Sequence, residues 1–129
     1  MSPSPEISAS QSMDTLMSEI VEKVWGREIW LVNNEKYCYK RLFLSPGFQC
    51  SLHYHPVKQE TFIVESGWVM LEHNGEEFLL GPGMQRTILP GEPHRFRPHG
   101  DDPVERVILE VSTMHRDSDV VRLEPSRAL

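Results

Sequence analysis

Two thiols, no long apolar run and a shortage of basic residues set the first limits on this chain. Of 129 residues only Cys38 and Cys50 are cysteines. Neither stands in a CxxC pair or zinc-ribbon spacing. Each lies in an apolar, strand-like stretch, where a free cysteine is usually a buried, reduced thiol. No apolar segment approaches the ~20 residues that a membrane-spanning helix needs. Lys and Arg number 13 against 19 Asp and Glu, a formal net charge of -6. That balance argues against nonspecific binding to nucleic acid, whose phosphates call for clustered cations. It does not exclude a small anionic ligand, which needs only a local basic group. Residues 1–11 are rich in Ser and Pro and lack both a basic and an apolar signal region. They are expected to be a disordered tail, and a reducing, cytoplasmic location follows as the expectation.

The remainder, 12–129, is the size of one domain with one core, and no internal repeat or interdomain linker is visible. Met13, Leu16, Met17, Ile20, Val21 and Val24 fall at helical spacing behind Ser12 or Asp14 as N-cap, which predicts one short N-terminal helix ending near Trp25-Gly26. Beyond Gly26 the period changes. Short extended runs are predicted near Glu28–Asn33, Tyr37–Leu44, Gln49–His55, Glu60–Glu65, Trp68–His73, Glu76–Leu80, Met84–Leu89, His94–Arg97, Glu105–Ser112 and Val120–Leu123. Turn residues separate them, Asn74-Gly75 giving the strongest hairpin signal because a type I′ turn needs positive φ at both positions. Many short strands at this spacing predict an all-β sandwich or barrel.

The chemistry concentrates in four residues. His53 and His55, two apart on an extended segment, project to the same side, since strand side chains alternate. An antiparallel hairpin is expected to return Glu60 beside them, and His94 follows the Pro90-Gly91-Glu92-Pro93 turn. Imidazoles and a carboxylate on one face are ligands for a divalent ion, with Zn, Mn, Fe and Ni among those accepted. A one-residue shift would offer Gln59 in place of Glu60. Lys40 shares a face with Cys38, Leu42 and Leu44, where an ammonium is costly unless paired or facing a cavity. Arg95 and Arg97 alternate away from His94 towards solvent. His99 reads as a surface residue, His115 could reach the cavity but reads rather as surface, and Lys58 reads equally well as an exposed loop residue or a substrate group.

Taken in order, Gly47, His53-x-His55, Glu60 and Gly67, followed by Gly83 and Pro90-Gly91-Glu92-Pro93-His94, resemble the two motifs of the cupin family. The resemblance runs from about Lys23 to Leu123. It implies a double-stranded β-helix, or jelly roll, with a metal at its open end bound by His53, His55, Glu60 and His94, and it implies a homodimer. Lys23-Val-Trp25-Gly26, the segment Cys50 to Thr61 and the tail Glu110 to Glu124 are similar to the sugar isomerase and phosphomannose isomerase-like branch. A metal-dependent aldose–ketose isomerase is the implied activity, on a sugar or sugar phosphate. Glu110 and Lys58 are then the candidate proton-transfer groups, with Lys40, Arg122 and Phe62 as substrate contacts. An iron-dependent dioxygenase and a non-catalytic sugar-binding protein are the alternatives. A lining of Phe62, Trp68 and Phe96 would suit an aromatic substrate.

Overall fold

The computed structural model describes residues 17–129. Residues 1–11 and the beginning of the expected helix, through Leu16, lie outside that range. Thirteen strands follow one another: β1 (Glu19–Lys23), β2 (Gly26–Asn33), β3 (Cys38–Leu44), β4 (Phe48–Gln49), β5 (Leu52–Tyr54), β6 (Glu60–Ser66), β7 (Val69–His73), β8 (Glu76–Leu80), β9 (Gln85–Ile88), β10 (His94–Pro98), β11 (Arg106–Ser112), β12 (Val121–Glu124) and β13 (Arg127–Ala128). Six form one sheet in the order β1-β2-β3-β11-β6-β9, and five form a second in the order β12-β5-β10-β7-β8. The two-residue β4 and β13 pair separately. Neighbours far apart in sequence lie side by side, as in a double-stranded β-helix. Among the described residues no helix is long and apolar enough to cross a membrane.

The predicted helix is not realised over its described part. β1 instead pairs along its full length with β2, from Glu19↔Trp30 to Lys23↔Gly26. Ile20, Val21 and Val24 are β-branched and fit a strand as well as a helix, and the pairing partner lies only a tight turn away. Gly26 makes that turn possible. Its φ is 149°, and a Cβ there would stand 1.8 Å from the Phe43 carbonyl oxygen. At Asn74-Gly75 the φ angles are 52° and 80°, so the expected hairpin turn joins β7 to β8.

Alternation builds the core. β3, β6 and β11 place Leu42, Leu44, Phe62, Val64 and Ile108 inward. β7, β8 and β10 answer with Val69, Leu71, Leu80 and Phe96. Fully burying a side chain such as Leu71 contributes about 1.5–3 kcal/mol relative to exposure. Three sequence expectations change here. The run Gln49–His55 divides into β4 and β5. The strand after it, β6, does not pair back onto β5 but lies in the other sheet, between β11 and β9. Trp68 is exposed on the outside, its ring packed against Gly81 rather than lining the interior.

Candidate metal centre and its cavity

His53 sits on β5, His55 follows that strand directly, and His94 opens β10 in register with His53. The two sheets face each other here, so Glu60 at the start of β6 arrives from the opposite wall. The ring centroids lie 4.6 Å apart for His53–His94, 5.0 Å for His53–His55 and 5.7 Å for His55–His94. One ring nitrogen from each of the three falls within 4.8 Å of the others, a cluster that could hold a metal ion.

Each imidazole is oriented by main chain. His53 Nδ1 lies 2.9 Å from the Ser51 carbonyl oxygen, His55 Nδ1 2.6 Å from that of Asp119, and His94 Nδ1 2.9 Å from that of Glu92. A carbonyl only accepts, so Nδ1 must carry the hydrogen and each Nε2 keeps its lone pair. Outer partners of this kind set the tautomer and aim of metal-binding histidines. Glu60 Oε1 then stands 2.8 Å from His94 Nε2 and 3.5 Å from His55 Nε2. Lone pairs face lone pairs there. Both Glu60 oxygens and His94 Nε2 are buried with no hydrogen bond of acceptable geometry. A cation between them removes that conflict, so the donor set fits a divalent ion.

The protonation states agree. Burial, helped by His94 and His55, brings the His53 imidazole down to about 3. Burial lowers His55 as well, against the pull of Glu60. For Glu60 burial alone would raise the carboxyl. The charge of Lys58 opposes that rise, as a proton on His94 would, and the group is held below the usual carboxylate range. Neutral imidazoles at His53 and His55 beside an ionised carboxylate are forms that bind metal.

The centre borders a cavity of about 620 Å³. Lys58 is not an exposed loop residue but 2% exposed within it. Its ammonium lies 3.1 Å from Glu110 Oε2, from Glu60 Oε2 and from His115 Nδ1. Burial would lower its pKa, but the two carboxylates, Glu110 foremost, drive it upward. The charged form of Lys58 is therefore favoured. Glu110 also accepts a 3.1 Å hydrogen bond from Ser112 Oγ, again on Oε2. Lys40 is buried, 4.1 Å over the Trp30 ring and 3.4 Å from Glu28 Oε1. Phe62 lines the floor, edge-on to Phe96 at 4.6 Å. Arg122 is exposed at the rim, opposite His53 in register. Gln59 is exposed, its backbone N–H donating to Thr113 Oγ1, so the one-residue shift does not occur.

Three contributors were not assigned to the site from the sequence. His115 is a cavity residue rather than a surface one, accepting from Lys58 and donating through Nε2 to Asp117 at 2.9 Å. Glu28 and Trp30 complete the surroundings of Lys40, Trp30 Nε1 donating to Glu28 Oε1 at 2.7 Å. The signal for Glu28 was present. An ammonium on an apolar strand face demands a carboxylate, and β2, the next strand along the chain, carries one.

The family described as cupin domain matches residues 41–110. The xanthan biosynthesis protein XanB of Xanthomonas campestris pv. campestris is 31% identical over 105 residues, 81% of this chain and 22% of that protein. The D-lyxose ketol-isomerase of Cohnella laeviribosi is 31% identical over 121 residues, 73% of this chain and 65% of the relative. The chain thus spans about a fifth of the length of the first of these relatives. Among solved structures, the capsular polysaccharide assembling protein CapF of Staphylococcus aureus superposes with a TM-score of 0.73 at 18% identity, over 84% of this chain and 34% of that one, and shares the fold.

Proposed function

This chain belongs to the cupin family, and from that premise we propose that it is a metal-dependent carbohydrate isomerase interconverting an aldose and a ketose. His53, His55 and His94 would hold the ion with Glu60 as fourth ligand. When bound, a divalent ion polarises a carbonyl and acidifies the hydroxyl and C–H beside it. The remaining work falls to the chain. Glu110 takes the proton from the hydroxyl-bearing carbon and returns it to the former carbonyl carbon. The matching hydroxyl proton passes between the two oxygens, so the reaction balances without a co-reactant. Lys58 and Ser112 both contact Oε2 of Glu110, which leaves Oε1 for proton exchange. Lys58 remains an ammonium and steadies charge on the substrate oxygens. Lys40 and Arg122 contact hydroxyls. Phe62, against Phe96, forms a floor that limits water.

The observation that carries this reading is the burial of a charged, proton-competent wall in the same cavity as three converging imidazoles. Charged walls suit a polyol better than an aromatic substrate. The test uses protein loaded in turn with Zn, Mn, Fe and Ni, with metal content measured and aldose–ketose pairs followed by NMR. Glu110→Gln is expected to keep its metal and lose turnover by about 10²–10⁴-fold. Unchanged turnover in that variant removes Glu110 from the mechanism. Absence of any interconversion by fully loaded protein sinks the isomerase reading. A homodimer is part of the proposal, and a purely monomeric species in analytical ultracentrifugation removes it.

A further inference from the structure

Two ammonium groups stand inside the cavity, and both are already paired. Lys40 is matched to Glu28 at 3.4 Å with its charge over the Trp30 ring. Lys58 is shared between Glu60 and Glu110, 3.1 Å from each. Both lysine side chains are 2% exposed. Six carboxylates border the cavity against four cationic side chains. The other two cations, Lys23 and Arg122, are respectively half-buried and exposed, and belong to the outer margin.

A phosphate ester carries a charge of about −1.5 to −2 and offers strong acceptors only. To reach Lys58 it must displace Glu60 or Glu110, and beside Lys40 it would stand against Glu28, so either approach leaves a buried, uncompensated negative charge. A sugar hydroxyl behaves differently. It donates to a carboxylate and accepts from an ammonium at once, so a polyol fits between the Glu28–Lys40 and Glu110–Lys58 pairs without breaking either. We infer that the cavity takes a neutral polyhydroxy sugar and rejects the phosphate ester of that sugar. The inference rests on the carbohydrate reading of the site and sharpens it.

The test titrates full-length, Mn-loaded protein with D-lyxose, D-mannose, D-mannose 6-phosphate and orthophosphate, by calorimetry and by thermal shift. A neutral sugar is expected to bind at least about tenfold tighter than the ester, because the ester meets carboxylates already paired with both buried ammonium groups, and orthophosphate is expected not to compete. Glu28→Gln releases Lys40 from its partner and is expected to narrow the gap by strengthening binding of the ester. Equal or tighter binding of the ester by the unsubstituted protein overturns the inference, as does displacement of sugar by orthophosphate or failure of both sugars to bind. A neutral sugar that binds without being isomerised removes the isomerase reading and leaves this inference standing. Turnover confined to the phosphate ester does the reverse.

Discussion

Lys58 is the residue on which most of the buried charge converges. Its ammonium is shared by Glu60 and Glu110 with almost no solvent in reach. Lys58→Met leaves two buried carboxylates without their cation, and breaking a buried pair in this way costs about 3–5 kcal/mol. Urea denaturation of the metal-free protein should show that loss; a change under about 0.5 kcal/mol, the range of ordinary surface substitutions, would contradict the burial of the network. Cys50 supplies a pH dependence. Burial pushes its thiol up to about 12 in the folded chain, from 9.0. The unfolded chain releases this proton first, so the contribution is fully present below about pH 8.5 and is lost as pH rises towards 12, by about 1.4 kcal/mol per unit. Denaturation midpoints of Cys50→Ala and the unsubstituted protein should draw together over that window. Parallel curves would count against it. The histidines were legible from sequence because alternation and spacing are local properties. His115 was not, because the loop after β11 that delivers it to Lys58 has no period to read.

At the scale of elements, the segment between β11 and β12 does more than connect strands. Asp119 accepts 2.9 Å hydrogen bonds from the backbone N–H groups of Val57 and Lys58, and its own carbonyl oxygen receives His55 Nδ1. One residue therefore docks the loop that carries a ligand imidazole on one side and the buried ammonium on the other. Asp119→Ala keeps the carbonyl that holds His55 but unties the Val57–Lys58 loop, and should weaken metal binding by about tenfold, the low end for disturbed outer partners, with the far-UV CD spectrum unchanged and part of the affinity restored in Asp119→Asn. Unaltered affinity measured with a competing chelator would dismiss the clamp. Most strands were legible as elements, since inward and outward residues alternate along β3, β6, β7 and β11. Their partners were not. The pairing of β6 with β11, and not with β5, joins segments more than forty residues apart, and no local signal encodes it. Over its described part the N-terminal pattern failed for a different reason: Ile20, Val21 and Val24 are β-branched, and pairing with β2 decided between helix and strand.

For the whole molecule, the centre lies where the two sheets come together. His53 and His94 belong to the five-stranded sheet and Glu60 to the six-stranded one. An ion held between them would tie the walls of the barrel to each other. Stripping the metal should therefore lower the melting temperature, and restoring it at a thousandfold excess over Kd should return about 4 kcal/mol by mass action. Calorimetry with and without chelator reads this directly, and identical transitions would speak against a bound ion. The carbonyl oxygens that orient the three imidazoles carry a separate consequence. All three belong to the peptide backbone, at Ser51, Glu92 and Asp119. Drift in side-chain identity at Ser51 or Glu92 leaves those acceptors in place. A single inserted residue in either segment would swing an imidazole away while every ligand survived in the gene. Length, more than spelling, is what heredity must preserve around this site.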